Sequence, residues 1–417
     1  MAVDKIYIGN FKGINDEKWI DIKPITVFVG SNSSEKSSCI HAIACLSQTL
    51  KVPNNSLPLV LDDEYANVHL GRFIEVIHSR SYQDLISLGI SIEKDIPFVG
   101  VDEKGEPENR KGPVEAIYRF KCSQRTQDIR IENAQINVAD ISYTVKWSSS
   151  GYSITNQNTS KKITLELGPG FLFDPETMFR RRSKAILDFL PLINAQSALS
   201  EELKNTFYLG PFREAPRRKY ATRGANPVEV GPMGESTVTI LANESFQTQK
   251  RPHIKQIAKW LTKLGLAKSL NISRVGKSDL VDLKLGLQDG AELPIADLGY
   301  GLSQIMPVLT QCSFAQKNST LLFEQPEIHL HTKSSRQLAS VMIDTVKSKK
   351  SNVLLETHSP DLVKQLMQEL KAGKIEPDDI VIYKVTRTDK QTCIHEIEID
   401  VENDFDVYEN WESDISL

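Results

Sequence analysis

Cysteine is scarce and unpatterned in this chain. The five present (Cys39, Cys45, Cys122, Cys312 and Cys393) are scattered over 417 residues, odd in number, with no CxxC pair. That argues against a disulfide framework or a zinc ribbon and fits a reducing compartment. No run of eighteen apolar residues occurs, and the opening MAVDKIYIGNFKG carries charge and a strand pattern in place of an apolar core. Neither a membrane span nor a signal peptide is expected, and the expected location is the cytoplasm. No heptad repeat is sustained, which excludes a long coiled-coil arm, and no internal repeat or low-complexity segment is found. Charge of one sign is also missing. At a formal net charge of −4 the chain has no global field for nucleic acid, so any such contact must come from local patches. What is present, 40% apolar and 25% charged residues, describes a globular chain long enough for two lobes.

Residues 3–9 and 19–29 have strand patterns, separated by the turn-forming Gly13, Asn15 and Asp16. A helix is expected after Lys36, with Ile40, Ile43 and Leu46 as its apolar stripe. Residues 86–93 and 113–167 break into short alternating segments and predict an inserted antiparallel β meander. Residues 176–205 predict one or two helices interrupted by Pro191. From about 206 strands and helices alternate; residues 250–263 predict a helix facing inward through Ile254, Ile257, Leu261 and Leu264. The tail alternates strictly. His395, Ile397, Ile399 and Val401 fall on one face, Glu396, Glu398, Asp400 and Glu402 on the other, predicting a half-buried strand with an acidic outer face. The expected division is 1–75 and 206–417 as two halves of one domain, with 76–205 inserted as a β-rich and helical lobe.

Two stretches carry the chemistry. The apolar Ile25-Thr26-Val27-Phe28-Val29 runs into Gly30-Ser31-Asn32-Ser33-Ser34-Glu35-Lys36-Ser37-Ser38. A phosphate loop has the pattern G-x-x-x-x-G-K-[ST]: glycines let backbone N–H groups curl around a phosphate, lysine neutralises its oxygens, and the hydroxyl holds Mg²⁺. Gly30, Lys36 and Ser37 match at the required spacing. Glu35 replaces the second glycine, putting a side chain where glycine's backbone freedom is commonly used. It also sets a carboxylate near a polyphosphate, a repulsion of roughly 4 kcal/mol per charge pair at ~4 Å and an effective dielectric of ~20, before screening. The second stretch, Thr320-Leu321-Leu322-Phe323, ends in Glu324-Gln325-Pro326-Glu327-Ile328-His329-Leu330-His331. In nucleotide hydrolases such a strand presents an acid for Mg²⁺, followed by a glutamate that polarises water. Glu324 fits the first role. Gln325, at the second position, can orient water but cannot take a proton near neutral pH. Glu327 either substitutes for it or caps the next helix. His329 and His331 make at most half a metal site.

With these residues in view, the chain resembles the ABC-type ATPase heads of the RecF, SMC and OLD group, an α/β P-loop fold. Within that group it is most similar to stand-alone bacterial AAA-type ATPases and to ATPase subunits of Septu-like anti-phage systems. Ile8-Gly9-Asn10-Phe11-Lys12-Gly13 looks like the group's first strand, and Asn32 matches its loop asparagine. Tyr208-Leu209-Gly210-Pro211-Phe212-Arg213, followed by Val230-Gly231 and Gly234-Glu235, looks like its central block. Asp297-Leu298-Gly299-Tyr300-Gly301-Leu302-Ser303-Gln304 looks like its signature segment opening a helix, and Glu356-Thr357-His358-Ser359-Pro360 like its H-loop. The match is good over residues 1–50 and about 206–365 and slight over the insertion. The resemblance implies ATP and Mg²⁺ as ligands. Gly30, Asn32, Ser34, Lys36, Ser37 and Ser38 would contact phosphate, and Ser37 and Glu324 the metal. Gln325, Glu327 and His358 would stand at the γ-phosphate, and Gly301 and Ser303 would be supplied across a head-to-head dimer.

Arg180-Arg181-Arg182 with Lys184, and Arg217-Arg218-Lys219 with Arg223, are the dense basic stretches. Each is either a solvated face or a backbone contact for DNA or RNA. Fewer than 60 residues follow His358, short of a further catalytic domain, so any nuclease would come from a separate partner. The expected function is an ATP-binding subunit that dimerises around nucleotide and controls a separate effector in anti-phage defence, with weak or absent hydrolysis. The alternatives are a RecF-like ATPase acting on DNA and a non-hydrolysing scaffold.

Overall fold

The computed structural model describes residues 3–53, 55–101, 106–149, 151–176, 184–222 and 224–399. It is the expected α/β head with an antiparallel β-rich lobe, and its described residues form two compact units. The first draws on segments 3–22, 37–206 and 386–393, the second on 23–36, 207–385 and 394–399. Residues 3–22 and 37–75 thus group with the meander, not with the C-terminal half.

In the first unit an eight-stranded sheet runs in the order Lys18–Asp21, Lys5–Gly9, Ile86–Val101, Pro107–Cys122, Ile129–Val138, Ile141–Ser148, Gly151–Asn156, Lys162–Leu165. Every neighbouring pair is antiparallel. Alternation sets the buried face: Val114, Ala116, Tyr118, Phe120 and Cys122 are buried while the residues between them are more open. The helix Leu190–Lys204 packs against this sheet and the helix Ser37–Lys51. Pro191 does not interrupt a helix. It lies in the first turn, after the 3-10 turn Lys184–Phe189, where its missing N–H is not needed.

The run 19–29 divides into two strands. Lys18–Asp21 pairs antiparallel with Lys5–Gly9 in the first unit, whereas Ile25–Val29 enters a parallel sheet in the second. Pro24 stands at the break, with a fixed φ and no N–H for a ladder. The second sheet is six-stranded, in the order Thr206–Leu209, Thr320–Glu324, Asn352–Glu356, Ile25–Val29, Ile380–Arg387, Thr392–Glu396. The pairs from Thr320–Glu324 across to Ile380–Arg387 are parallel, and their register sets Glu324 beside Glu356 and Glu356 beside Phe28. Thr320–Glu324, Asn352–Glu356 and Ile25–Val29 are buried throughout, as in a sheet covered on both faces. Their C-terminal ends share one edge, where open parallel sheets bind ligands.

The expected helix at 250–263 is Pro252–Lys263, with Ile254, Ile257, Trp260 and Leu261 buried and Leu264 buried just after it. The tail strand is shorter than expected and phased differently. It spans Thr392–Glu396, with Ile394 buried and His395 exposed. The ladder ends there, and Ile397 and Ile399 pack against the second unit's core outside any strand. Asp400, Val401 and Glu402 lie outside the described residues. No helix among the described residues is long and apolar enough to cross a membrane.

Candidate functional site

The buried strand Ile25–Val29 delivers the chain to Gly30, whose φ is +154°. A Cβ at Gly30 would overlap the Val385 carbonyl oxygen, so glycine is required by close approach as well as by torsion. The loop then takes a left-handed conformation at Ser33 (φ +63°) and again at Glu35 (φ +66°). Glu35 therefore stands in a glycine-type slot, at a cost of about 1–2 kcal/mol for a residue with a Cβ. Lys36 is 3% exposed, and its Nζ donates to the carbonyls of Ser31 (2.7 Å) and Gly30 (3.2 Å). Burial pushes its pKa down, while the nearby Glu356 carboxylate pulls it up. Ser34 is fully buried, and its Oγ has no hydrogen-bond partner among the described residues. Asn32 is exposed. Ser37 opens the helix Ser37–Lys51, followed by the buried Ser38.

At the neighbouring strand end Glu324 is 5% exposed and accepts a hydrogen bond from Tyr208 Oη at 2.6 Å. Burial first, and then this carboxylate, pushes the Tyr208 hydroxyl pKa up. Gln325 has φ +44° and is held by Glu356 twice: its N–H donates to the Glu356 carbonyl (3.0 Å) and its Nε2 to Oε1 (3.4 Å). Glu327 does not cap a helix. The next helix, Thr332–Lys349, is capped by His331, whose ring accepts from the Lys333 N–H. Glu327 Oε1 instead accepts from Thr357 Oγ1 (2.6 Å) and from the His358 N–H (3.2 Å). Its Oε2 is shut off from solvent and has no partner among the described residues. Burial raises the Glu327 pKa, against the pull of those hydrogen bonds.

His358 is half-buried beside the loop. Burial and then the Lys36 cation lower its pKa, opposed by a hydrogen bond with the Gly30 backbone. Gly30, Lys36, Glu324, Gln325, Glu327, Glu356 and His358 thus meet at one edge of the parallel sheet, within a single unit.

The signature segment belongs to the same unit. The helix Tyr300–Phe314 starts after Gly299, as the sequence predicts. A Cβ at Gly301 would overlap the His329 carbonyl oxygen, and the rings of Tyr300 and His329 meet edge-on at 5.0 Å. Ser303 Oγ donates to the Tyr300 carbonyl at 2.6 Å, so Gly301 and Ser303 contact their own helix and the His329 turn. His329 and His331 hold no metal set, since no group of three or more His, Cys, Asp or Glu residues with metal-binding geometry occurs among the described residues. Of the basic stretches, Arg218 forms a two-bond ion pair with Asp297 (2.6 and 2.9 Å), and Arg217 lies 3.4 Å from Glu214. Arg180, Arg181, Arg182 and Arg223 lie outside the described residues.

Tyr208, Glu356 and Thr357 are site residues to which the sequence assigns no individual role. Glu356 has a signal in the sequence, since it follows the apolar run Val353-Leu354-Leu355 just as Glu324 follows Leu321-Leu322-Phe323. The donor set fits a magnesium nucleotide. The loop has a buried Ser34 hydroxyl with no partner among the described residues and the Lys36 cation, and Glu324 in the same unit offers hard oxygen donors suited to Mg²⁺.

Residues 1–363 match the family described as AAA ATPase domain. Among solved structures, an SMC head domain from Thermotoga maritima is similar at 10% identity and a TM-score of 0.42, covering 96% of this chain and 100% of that one. An Smc head domain with an extended coiled coil, bound to the C-terminal domain of ScpA from Pyrococcus furiosus, is similar at 10% identity and a TM-score of 0.44, covering 98% and 99%. Another Smc head, bound to the C-winged helix domain of ScpA, is similar at 11% identity and a TM-score of 0.44, covering 96% and 98%. No curated protein matches.

Proposed function

The chain belongs to the AAA ATPase domain family, and we propose that it is a cytoplasmic ATP-binding head that dimerises around MgATP and controls a separate effector. The observation that carries this reading is the meeting of Lys36, Glu356 and His358 behind the loop, with Glu324 and Gln325 at the adjoining strand end. Loop amides, Ser34 Oγ and Lys36 would hold the phosphates; Ser37 and Glu324 would hold Mg²⁺. The bound metal would neutralise charge on the β and γ oxygens. Gln325 presents an amide, which orients water without accepting its proton, so turnover is slow. Gly301 and Ser303 of a second copy would complete each nucleotide site through the positive end of their helix.

The effector is proposed to be a nuclease acting in defence against phage. Its support is the sequence resemblance to Septu-like ATPase subunits. The alternative of direct action on DNA gains nothing from the described arginines, since Arg217 and Arg218 face Glu214 and Asp297. The deciding experiment is equilibrium binding of MgATP with phosphate release followed in the same sample, using Lys36→Ala as control. Binding that Lys36→Ala abolishes, with little release, supports a nucleotide-held switch. Rapid release overturns the slow-turnover part of the reading. No binding by the parent protein sinks the whole of it and leaves a scaffold.

A further inference from the structure

Arg213 is 5% exposed and, among the described residues, donates its hydrogen bonds to main chain. Its Nη1 donates to the Gln304 carbonyl (3.1 Å), and its Nη2 to the carbonyls of Glu324 (3.1 Å) and Gln325 (3.2 Å). The first acceptor lies in the opening turns of the signature helix Tyr300–Phe314; the other two end the carboxylate strand. Nε is buried with no partner among the described residues. Burial pulls the guanidinium pKa down to about 10, and the Glu327 carboxylate pulls it back up. The side chain therefore stays charged at neutral pH.

A buried cation facing carbonyls is a poor source of stability for its own sake, because desolvation consumes most of the attraction. A guanidinium is nevertheless well suited to one task. Its rigid planar fork can hold acceptors on two different elements at fixed spacing, which a flexible ammonium does less well. One of those acceptors also fixes a strained residue. Gln325 is left-handed (φ +44°), with its N–H held by the Glu356 carbonyl and its own carbonyl held by Arg213. Its torsion is thus gripped on both sides. The helix end of the clamp is shaped by a proline. Pro307 lies inside that helix and cannot donate to the Ser303 carbonyl, while Gly234 leaves room for the Pro307 ring: a Cβ there would come within 2.5 Å of Pro307 Cγ.

We infer that Arg213 is a positioning residue that clamps the start of the signature helix to the Glu324–Gln325 turn, so that the two shift together. Where nucleotide is concerned the inference rests on the function proposed above. It adds a specific route by which the turn that senses nucleotide in one head sets the helix offered to the other.

Arg213→Gln tests it in two ways, with Arg213→Lys measured beside it in case the first variant does not fold. The first readout needs no nucleotide. Hydrogen exchange of the amides of Gln304, Ile305, Met306 and Val308, and of Gln325, Glu327 and Ile328, should speed up by about tenfold or more in both segments, since each loses the same anchor. Faster exchange in only one segment, or in neither, overturns the clamp. The second readout uses MgATP. Affinity of the single chain should stay within about threefold of the parent while nucleotide-driven self-association weakens by more than about tenfold, a split that general destabilisation does not produce. Affinity and association falling in step, or both unchanged, overturns the coupling. If the parent binds no MgATP, the proposed function fails, and the exchange measurement still decides the clamp.

Discussion

The phosphate loop and the turn after the carboxylate strand make the same backbone demand and meet it differently. Each holds a residue other than glycine in the left-handed region, Glu35 at φ +66° and Gln325 at φ +44°. Gln325 is fastened by hydrogen bonds on both sides, from Arg213 and to Glu356, and its side chain is neutral. Glu35 brings a negative charge to a loop shaped for an anion, beside a lysine that already bonds the loop's own carbonyls. A substitution in the loop therefore bears on ligand affinity and on strain. A substitution in the turn bears on the handling of a proton and on how the turn is coupled to its surroundings.

The largest effect expected is at the loop. Lys36→Ala should weaken MgATP binding by at least about 100-fold, measured by titration calorimetry, because the charge-assisted contact to phosphate is lost. Unchanged affinity would mean that the loop is not the binding element. At the turn, Gln325→Glu should raise phosphate release by roughly tenfold or more, restoring a group able to take a proton. An unchanged rate would place the block elsewhere. Glu35→Gly should tighten binding several-fold and raise stability by about 1 kcal/mol through relief of the left-handed strain. That corresponds to a shift of roughly 1 °C in Tm for a chain of 417 residues. A fall in Tm would show that Glu35 contributes more through its contacts than it costs in torsion.

A smaller effect concerns pH. The Glu327 pKa is raised by burial above the ordinary 4.5, so its contribution to stability is full below 4.5 and is lost as pH rises through the folded-state value. The parent should therefore lose Tm relative to Glu327→Gln as pH rises above 4.5 and through the raised folded-state pKa. His358, lowered from 6.5 by burial, acts in the opposite sense, favouring the folded state more as pH rises toward 6.5. His358→Gln should flatten that rise. The smallest effect is expected at Arg218→Ala, whose exposed ion pair with Asp297 should be worth at most about 1 kcal/mol. A large loss of Tm there would assign the basic stretch a role in holding the signature segment.

Much of this molecule is legible in its residues. The meander from Ile86 onward and the helix after Lys36 follow from alternation and spacing, and the helix opening at the signature segment from the family resemblance. The misreadings arose where a pattern has two solutions. Residues 19–29 have strand patterns throughout, alternating up to Lys23 and continuously apolar or Thr from Ile25, and Pro24 marks where the two parts separate. Pro191 looked like an interruption because a proline pattern does not state which turn of a helix it occupies. The tail alternates on paper beyond the point where its ladder ends, so the face carrying Ile394, not His395, is the buried one. Glu327 is placed by its spacing to cap the next helix, but His331 caps it and Glu327 accepts hydrogen bonds from the Thr357–His358 turn.

By itself the sequence determined the order of strand, loop and helix, the match to a phosphate-loop pattern at Gly30, Lys36 and Ser37, and the chemical departures from it at Glu35 and from the carboxylate pair at Gln325. Those properties are local, and each is written within a dozen neighbouring residues. Tertiary structure alone decided that Glu324 stands beside Glu356, that Tyr208 bonds Glu324, and that Arg213 reaches two elements at once. Strands buried on both faces are mostly apolar and carry no alternation from which register could be read. Contacts more than a hundred residues apart then follow only once parallel pairing and close packing have fixed which strand ends meet.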